Sequence, residues 1–527
     1  MTSSTAPDPV RRPGTLLRAR PLASRFRPDH AEAAYRVFYQ GVGYDGRGRL
    51  VTGSVFVPDG TPPPGGWPVV SYAHGTTGLS DRTAPSRTGL LRLERAHIAS
   101  WLAAGYAVAA TDYEGLATPG PHPYFHGEAV ADDVVDIVRA ARGLPHPLSD
   151  RWLVAGFSQG GHAALFTSLI ATRYAPELDF LGTLALAPPV HLVRVIATRT
   201  SDAAAAVCPF VPIVLAGMRT RYPDFSHGFL TDRGTSLVDL AERVSLVEMF
   251  RATKAMTNDE TGMTDLTRHD HVARVLDECR VPVARLDRPV FLAAGGADEI
   301  VPPAVIHDFA DDIAAAGSTV HLTTYPGANH GAVLTAAHPD ATRWAAAVTG
   351  HRTVPAAPAP RFDLLDATGD GYLRRDDYEV FALRLVQSFG HPPRSAAAMA
   401  VRAAYRALWR ALAAESDTDD DGRVGKAEFL AWAGRATHTA FDRTLRPLAT
   451  AVLALVDTNG TGVVERDEFL TLTTRCGVPD EDARTLFDRL DADHRGTVET
   501  AEIVRATREF CLDPRPGHPG HWLFGRF

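Results

Sequence analysis

The sequence predicts a parallel α/β domain built around a nucleophile turn, followed by an all-helical domain with acidic loops. Three observations carry this. Short apolar runs alternate with helical spacing from about residue 34 to 350, the rhythm of a parallel sheet with crossover helices. Within it, Arg151–Leu165 (RWLVAGFSQGGHAAL) passes from strand through a glycine turn into a helix. After a proline- and alanine-rich stretch at 351–360, the pattern D-x-[DN]-x-[DN]-G-x5-E recurs four times, two of them imperfect.

Composition narrows the function. A chain of 527 residues exceeds one ordinary domain, and 45% hydrophobic with 22% charged residues leaves material for real cores. A net charge of −8 argues against nucleic acid or an anionic membrane surface as the main partner. The four cysteines (Cys208, Cys279, Cys476, Cys511) lie far apart without a C-x-x-C pair, which excludes a disulfide framework or zinc knuckle. A single Cys208–Cys279 bridge stays open. The first residues, MTSSTAPDPVRRPGTLLRARPLASRF, are broken by arginine and proline and show no signal peptide, and no apolar run is long enough to span a bilayer. A cytoplasmic location without a transmembrane segment is therefore expected.

In chain order, residues 1–33 read as an arm or extended lead-in, and Tyr35–Pro58 as a hairpin with a glycine-rich turn. Trp67–Ala73 is a buried strand running into His74-Gly75-Thr76-Thr77-Gly78. A helix over 90–104, a strand over 105–112 and a helix over 129–142 follow, then the elbow strand, its helix and a strand over 180–186. Residues 190–285 break the rhythm with several helices, a length and place suited to a cap over an active site. Strands over 288–294 and 319–325, with helices over 305–315 and 341–348, complete the 34–350 domain.

The chemistry starts at Gly156-Phe157-Ser158-Gln159-Gly160. Glycines flanking the serine let strand and helix approach around a backbone that side chains disfavour, and leave Ser158 over the helix N-terminus. A serine so placed needs a base, and the base an orienting acid. Asp298, in the loop Gly295–Pro302, and His330, in Gly327–Gly331, follow successive strands in the required order; Glu299 is the competing acid. The expected oxyanion donors are the amides of Thr76 and Gln159. His74 reads equally as part of the site or as a brace for its loop.

YAHGTTG (Tyr72–Gly78), DYEGLATPGPHPY (Asp112–Tyr124), GFSQGG (Gly156–Gly161) and GGADEIVPP (Gly295–Pro303) together resemble the secretory lipase family of α/β-hydrolases over about residues 30–350. The resemblance implies an α/β-hydrolase fold, esters of fatty or shorter acids (acylglycerols among them) as substrates, and a helical lid matching 190–285.

The acidic loops have the ligand spacing of a calcium site, with oxygens at positions 1, 3, 5 and 12 and glycine at 6. The first carries Asp366, Thr368, Asp370 and a closing Asp377, one methylene short of the usual glutamate. The second, Asp417, Asp419, Asp421 and Glu428, fits throughout. The third offers Asp457, Asn459, Thr461 and Glu468. The fourth has Asp491, Asp493 and Glu502, but Arg495 occupies a ligand position with no lone pair to give. Residues 361–527, with helical runs such as Ala397–Leu412 and Leu448–Leu455, resemble the calerythrin and sarcoplasmic calcium-binding protein family, which implies a four-EF-hand domain binding Ca2+. The whole is expected to be a serine ester hydrolase fused to a calcium module that modulates it. An acyltransferase on the same scaffold and a calcium buffer with a non-catalytic hydrolase half are the alternatives. No protein partner of the calcium module is specified.

Overall fold

The computed structural model describes residues 12–222, 225, 228–351, 365, 372–416, 422–425, 429, 441–457, 460–475, 480–491 and 493–512. The chain divides into two compact units, Met1–Val354 and Pro355–Phe527.

The first unit is built on a nine-stranded sheet ordered β1-β2-β3-β5-β4-β6-β7-β8-β9. The strands are β1 Leu16–Pro21, β2 Ala31–Val42, β3 Gly48–Pro58, β4 Trp67–Ala73, β5 Ala107–Thr111, β6 Leu148–Phe157, β7 Asp179–Leu186, β8 Val290–Gly295 and β9 Val320–Tyr325. The expected hairpin is β2–β3, and it joins the parallel strands through an antiparallel β3–β5 pair. From β5 to β9 every pairing is parallel. Helices cover both faces, as parallel strands require. Gly127–Ala141 and Gln159–Tyr174 pack Val134, Ile137 and Ala163 against Val69 and Val154 on one side. Arg92–Ala103 and His338–Thr349 pack Ile98, Trp101 and Ala341 against Val70, Leu153 and Phe291 on the other. Part of the expected N-terminal arm instead joins the sheet: Leu16–Pro21 forms β1, the edge strand paired antiparallel with β2. Its arginines are exposed, as an edge permits.

Between β7 and β8 the insertion forms helices at Leu192–Thr200, Phe210–Arg221, Asp232–Ala241, Leu246–Thr253 and Asp270–Glu278, with their own apolar cluster that includes Ile213, Leu237, Met249 and Val272. Cys208 and Cys279 are not joined by a disulfide.

The second unit is helical: Arg375–Ser388, Ala396–Ser416, Arg446–Val456, Arg466–Arg475, Asp480–Leu490 and Thr500–Leu512. Two short antiparallel ribbons tie its loops in pairs. β10 (Tyr372–Leu373) pairs with β11 (Val424–Gly425), and β12 (Val463–Glu465) with β13 (Thr497–Glu499). Counted from the first ligand, Leu373 faces Val424 and Val464 faces Val498 at the same loop position, the eighth, and all four side chains are buried in one core. First and second loops thus form one pair, third and fourth another. Among the described residues, no helix is long and apolar enough to cross a membrane.

Candidate active site

β6 ends at Phe157, and the chain turns sharply at Ser158, whose φ of 53° and ψ of −117° no ordinary L-residue favours. The flanking glycines are sterically required. A Cβ at Gly156 would lie 2.0 Å from the Gly160 carbonyl oxygen, and one at Gly160 would lie 1.8 Å from that of Ala73. The Ser158 amide donates to the Leu186 carbonyl at 2.9 Å, and the Ser158 carbonyl accepts the His162 amide at 3.0 Å, fixing the elbow between β7 and its helix.

Loops beyond β8 and β9 supply the other two groups, at the C-terminal edge of the sheet where α/β folds place their sites. His330 Nε2 lies 2.9 Å from Ser158 Oγ, and His330 Nδ1 lies 2.8 Å from Asp298 Oδ2. A carboxylate only accepts, so Nδ1 carries the proton and Nε2 is left to accept from the serine hydroxyl. Asp298 Oδ1 accepts the amides of Ile300 (2.8 Å) and Val301 (2.9 Å), which locks the acid. The Glu299 carboxylate accepts the His330 backbone amide, at 3.4 Å, and not the imidazole. Phe157 and Phe210 flank the His330 ring, with centroids 4.9 and 6.3 Å away. Ser158 is 7% and His330 6% exposed, so the site is covered.

Thr76 and Gln159, the expected oxyanion donors, sit on the turn after β4 and at the first position of the elbow helix. Among the described residues neither amide has a protein acceptor. The turn around Thr76 is held from several sides. His74 Nδ1 donates to its neighbour's carbonyl, Gly75 O, at 2.6 Å; Tyr113 OH donates to His74 O at 2.9 Å; Gly75 N donates to Glu94 Oε1 at 2.8 Å. His74 is thereby a brace for the loop. The cap reaches the same turn, with the Leu246 amide donating to Thr77 O at 2.9 Å.

The 112–124 stretch, to which sequence reasoning gave no roles, is the scaffold of this site. Asp112 accepts Thr52 Oγ1 at 2.6 Å and the Ser86 amide at 2.8 Å. His122 donates from Nδ1 to Glu114 O (2.9 Å) and accepts the Gln159 side-chain amide at Nε2 (3.0 Å). Burial pushes the His122 pKa down to about 3, which keeps the ring neutral and able to accept. Tyr124 OH bonds Thr76 Oγ1 at 2.6 Å. The spacing of a tyrosine, a histidine and a second tyrosine around glycines and prolines was the available signal.

In the second unit, Asp366, Thr368, Asp370, Asp417, Asp419, Asp421, Glu428 and Asn459 lie outside the described residues. Asp377 is buried and its Oδ2 caps the Arg374 amide at 2.8 Å. Asp457 accepts the amides of Thr461 (2.9 Å) and Gly462 (2.8 Å), and Asp491 those of Arg495 (2.8 Å) and Gly496 (2.8 Å). Gly462 and Gly496 take φ of 77° and 78°, the sharp turn that position six of such a loop needs. Glu468 Oε2 accepts the Glu465 amide at 3.1 Å, so the closing acid faces the loop; Glu502 pairs with Arg505 at 3.1 Å. The described part of the third loop thus has the glycine turn and the two terminal carboxylates of such a loop. The fourth is compromised, because Arg495 Nε lies 2.5 Å from Asp493 Oδ2 and holds that carboxyl below its usual range. Among the described residues, no cluster of three or more His, Cys, Asp or Glu side chains is assembled to hold a metal.

A parallel-rich sheet carrying a serine at a strand–helix elbow, with a histidine and an aspartate on later loops, defines an α/β-hydrolase. The family model for secretory lipases matches residues 80–354, and the chain belongs to that family. It is 25% identical over 325 residues to a protein of Mycobacterium tuberculosis (strain CDC 1551 / Oshkosh) named as a probable inactive lipase, covering 58% of this chain and 72% of that one. Calerythrin of Saccharopolyspora erythraea is 28% identical over 158 residues, 28% of this chain and 87% of calerythrin. Among solved structures, a rice cell wall degrading esterase from Xanthomonas oryzae matches with a TM-score of 0.52 at 19% identity, covering 64% of this chain and 98% of the esterase.

Proposed function

We propose that the protein is a serine carboxylic-ester hydrolase of lipase or esterase type carrying a calcium-binding EF-hand module. The observation that carries the first part is the unbroken relay from Ser158 Oγ through His330 to Asp298, at 2.9 and 2.8 Å. Ser158 attacks the ester carbonyl while His330 Nε2 takes its proton, and Asp298 steadies the imidazolium that forms. The amides of Thr76 and Gln159 hold the oxyanion, in a covered site where hydrogen bonds to developing charge count most. His330 then protonates the leaving alcohol, and a water activated by the same nitrogen releases the acid. Because Ser158 is covered, ester entry requires the 190–285 cap to open. The relative named as inactive does not decide the matter here, since this chain retains every member of the relay. The test is turnover of p-nitrophenyl esters and labelling of Ser158 by a fluorophosphonate. Product analysis with an added alcohol separates hydrolysis from acyl transfer.

For the second part, support comes from the calerythrin match, the paired ribbons and the fit of the third loop. Asp457, Asn459, Thr461 and Glu468 would hold one Ca2+, and Asp417, Asp419, Asp421 and Glu428 another. Asp366, Thr368, Asp370 and Asp377 form a site of intermediate strength, while Asp491, Asp493 and Glu502, crossed by Arg495, form the weakest. The ion orders a helix pair and takes no part in the ester chemistry. Calorimetric titration of the full chain tests this, and four equal sites would contradict it.

A further inference from the structure

The helix Arg92–Ala103 has one acid in its first turn, Glu94, and buries it to 1% exposure beneath the turn after β4. Its Oε1 accepts Gly75 N at 2.8 Å and Tyr72 OH at 3.2 Å, while Oε2 is buried without a partner among the described residues. Burial pushes the Glu94 pKa up. Such a group is costly, and an apolar side chain would fill the space at less expense. Its one strong bond therefore marks what it is for.

That bond falls on a peptide next to a proposed oxyanion donor. In a trans peptide the C=O and the following N–H point in opposite directions. The 74–75 peptide is held at both ends, its carbonyl by Tyr113 OH at 2.9 Å and its N–H by Glu94. Among the described residues the 75–76 peptide is held only through its carbonyl, by His74 Nδ1 at 2.6 Å, so the Thr76 N–H points the other way, unclaimed there. Between the two planes lies Gly75. A Cβ there would come within 3.1 Å of Phe157, so close packing calls for glycine, and glycine is the residue least able to hold its own dihedrals. We propose that Glu94 is a positioning residue: by fixing the Gly75 amide it keeps the Thr76 amide aimed at the oxyanion. This rests on the ester-hydrolase assignment above.

The experiment compares Glu94→Gln and Glu94→Met with the wild-type full chain, using p-nitrophenyl butyrate, with active sites counted by fluorophosphonate labelling. Butylboronic acid serves as a tetrahedral mimic. Glutamine keeps an acceptor for Gly75, so kcat should stay within about threefold. Methionine should lower kcat per labelled site by about a hundredfold, near the scale of losing one oxyanion donor. KM should hold within about twofold, and boronate affinity should fall with kcat. A merely structural role would lower the labelled fraction and leave kcat per labelled site unchanged, and that result overturns the proposal. Should Glu94→Met not fold, Tyr113→Phe frees the same peptide from its other end; kcat falling at constant KM supports the proposal, and unchanged kcat overturns it. A wild-type chain that neither hydrolyses the ester nor takes the label removes the ester-hydrolase assignment itself, and this inference with it.

Discussion

Asp298 and Asp457 each sit in a loop and each accept two backbone amides within it, yet the two halves of the chain leave them in opposite situations. Asp298 spends its remaining oxygen on His330, and its side chain is 0% exposed. Asp457 puts one amide on each oxygen of a part-exposed carboxylate, which keeps lone pairs for a further partner. The first loop is complete in itself. The second has the form of a loop that awaits a cation. On the proposed assignment, the same local device, a carboxylate gripping amides two to five positions on, serves catalysis or ion binding according to what meets its remaining lone pairs.

The largest expected effect breaks the two halves apart. Ser158→Ala should lower ester hydrolysis by thousands-fold or more while calorimetric calcium binding stays as in the wild type. Turnover near the wild-type rate would contradict the nucleophile assignment.

A second effect sharpens the contrast in burial. His97 accepts Trp101 Nε1 at 2.9 Å, and burial pushes its pKa down to about 3. A folded-state pKa below the unfolded value of about 6.5 means stability is present above pH 6.5 and lost as pH falls toward 3. Urea unfolding, read by tryptophan fluorescence, should show the stability advantage of wild type over His97→Gln shrinking by about 3 kcal/mol between pH 7.5 and 4. A constant gap would show that the ring titrates freely.

Third, a chelator should shift hydrolysis by the full chain by at most about 5- to 150-fold, the usual span of allosteric coupling, and leave a chain ending near Thr349 unmoved. Equal and total calcium dependence of both would place an ion in the catalytic half. The smallest effect separates two calcium loops. Glu468→Gln should remove tight binding, Asp491→Ala should change it little, and Arg495→Asn should strengthen the fourth loop by about tenfold by freeing Asp493 and removing a positive charge. Loss of most tight binding on Asp491→Ala alone would reverse that order.

What the sequence made legible was local. Gly156 and Gly160 mark the elbow because the steric demand falls within the motif, and the loop positions of Asp298 and His330 follow from strand order. Glu94 was not visible: it lies 19 residues from Gly75, and only the packing of its helix beneath β4 brings them together. His122 bonds Gln159 across 37 residues for the same kind of reason. β1 passed for an arm because an arginine-bearing edge strand is defined by its partner rather than by its own pattern.

The serine–histidine bond closes across 172 residues. On a ribosome adding about 5–20 residues per second, the elbow therefore emerges about 10–30 s before its base. During that interval the serine is an ordinary alcohol, unable to acylate itself on whatever ester the nascent chain meets. On the proposed assignment the nucleophile is armed only once β8 and β9 have joined the sheet, so a hydrolase half cut short before His330 is inert rather than misdirected.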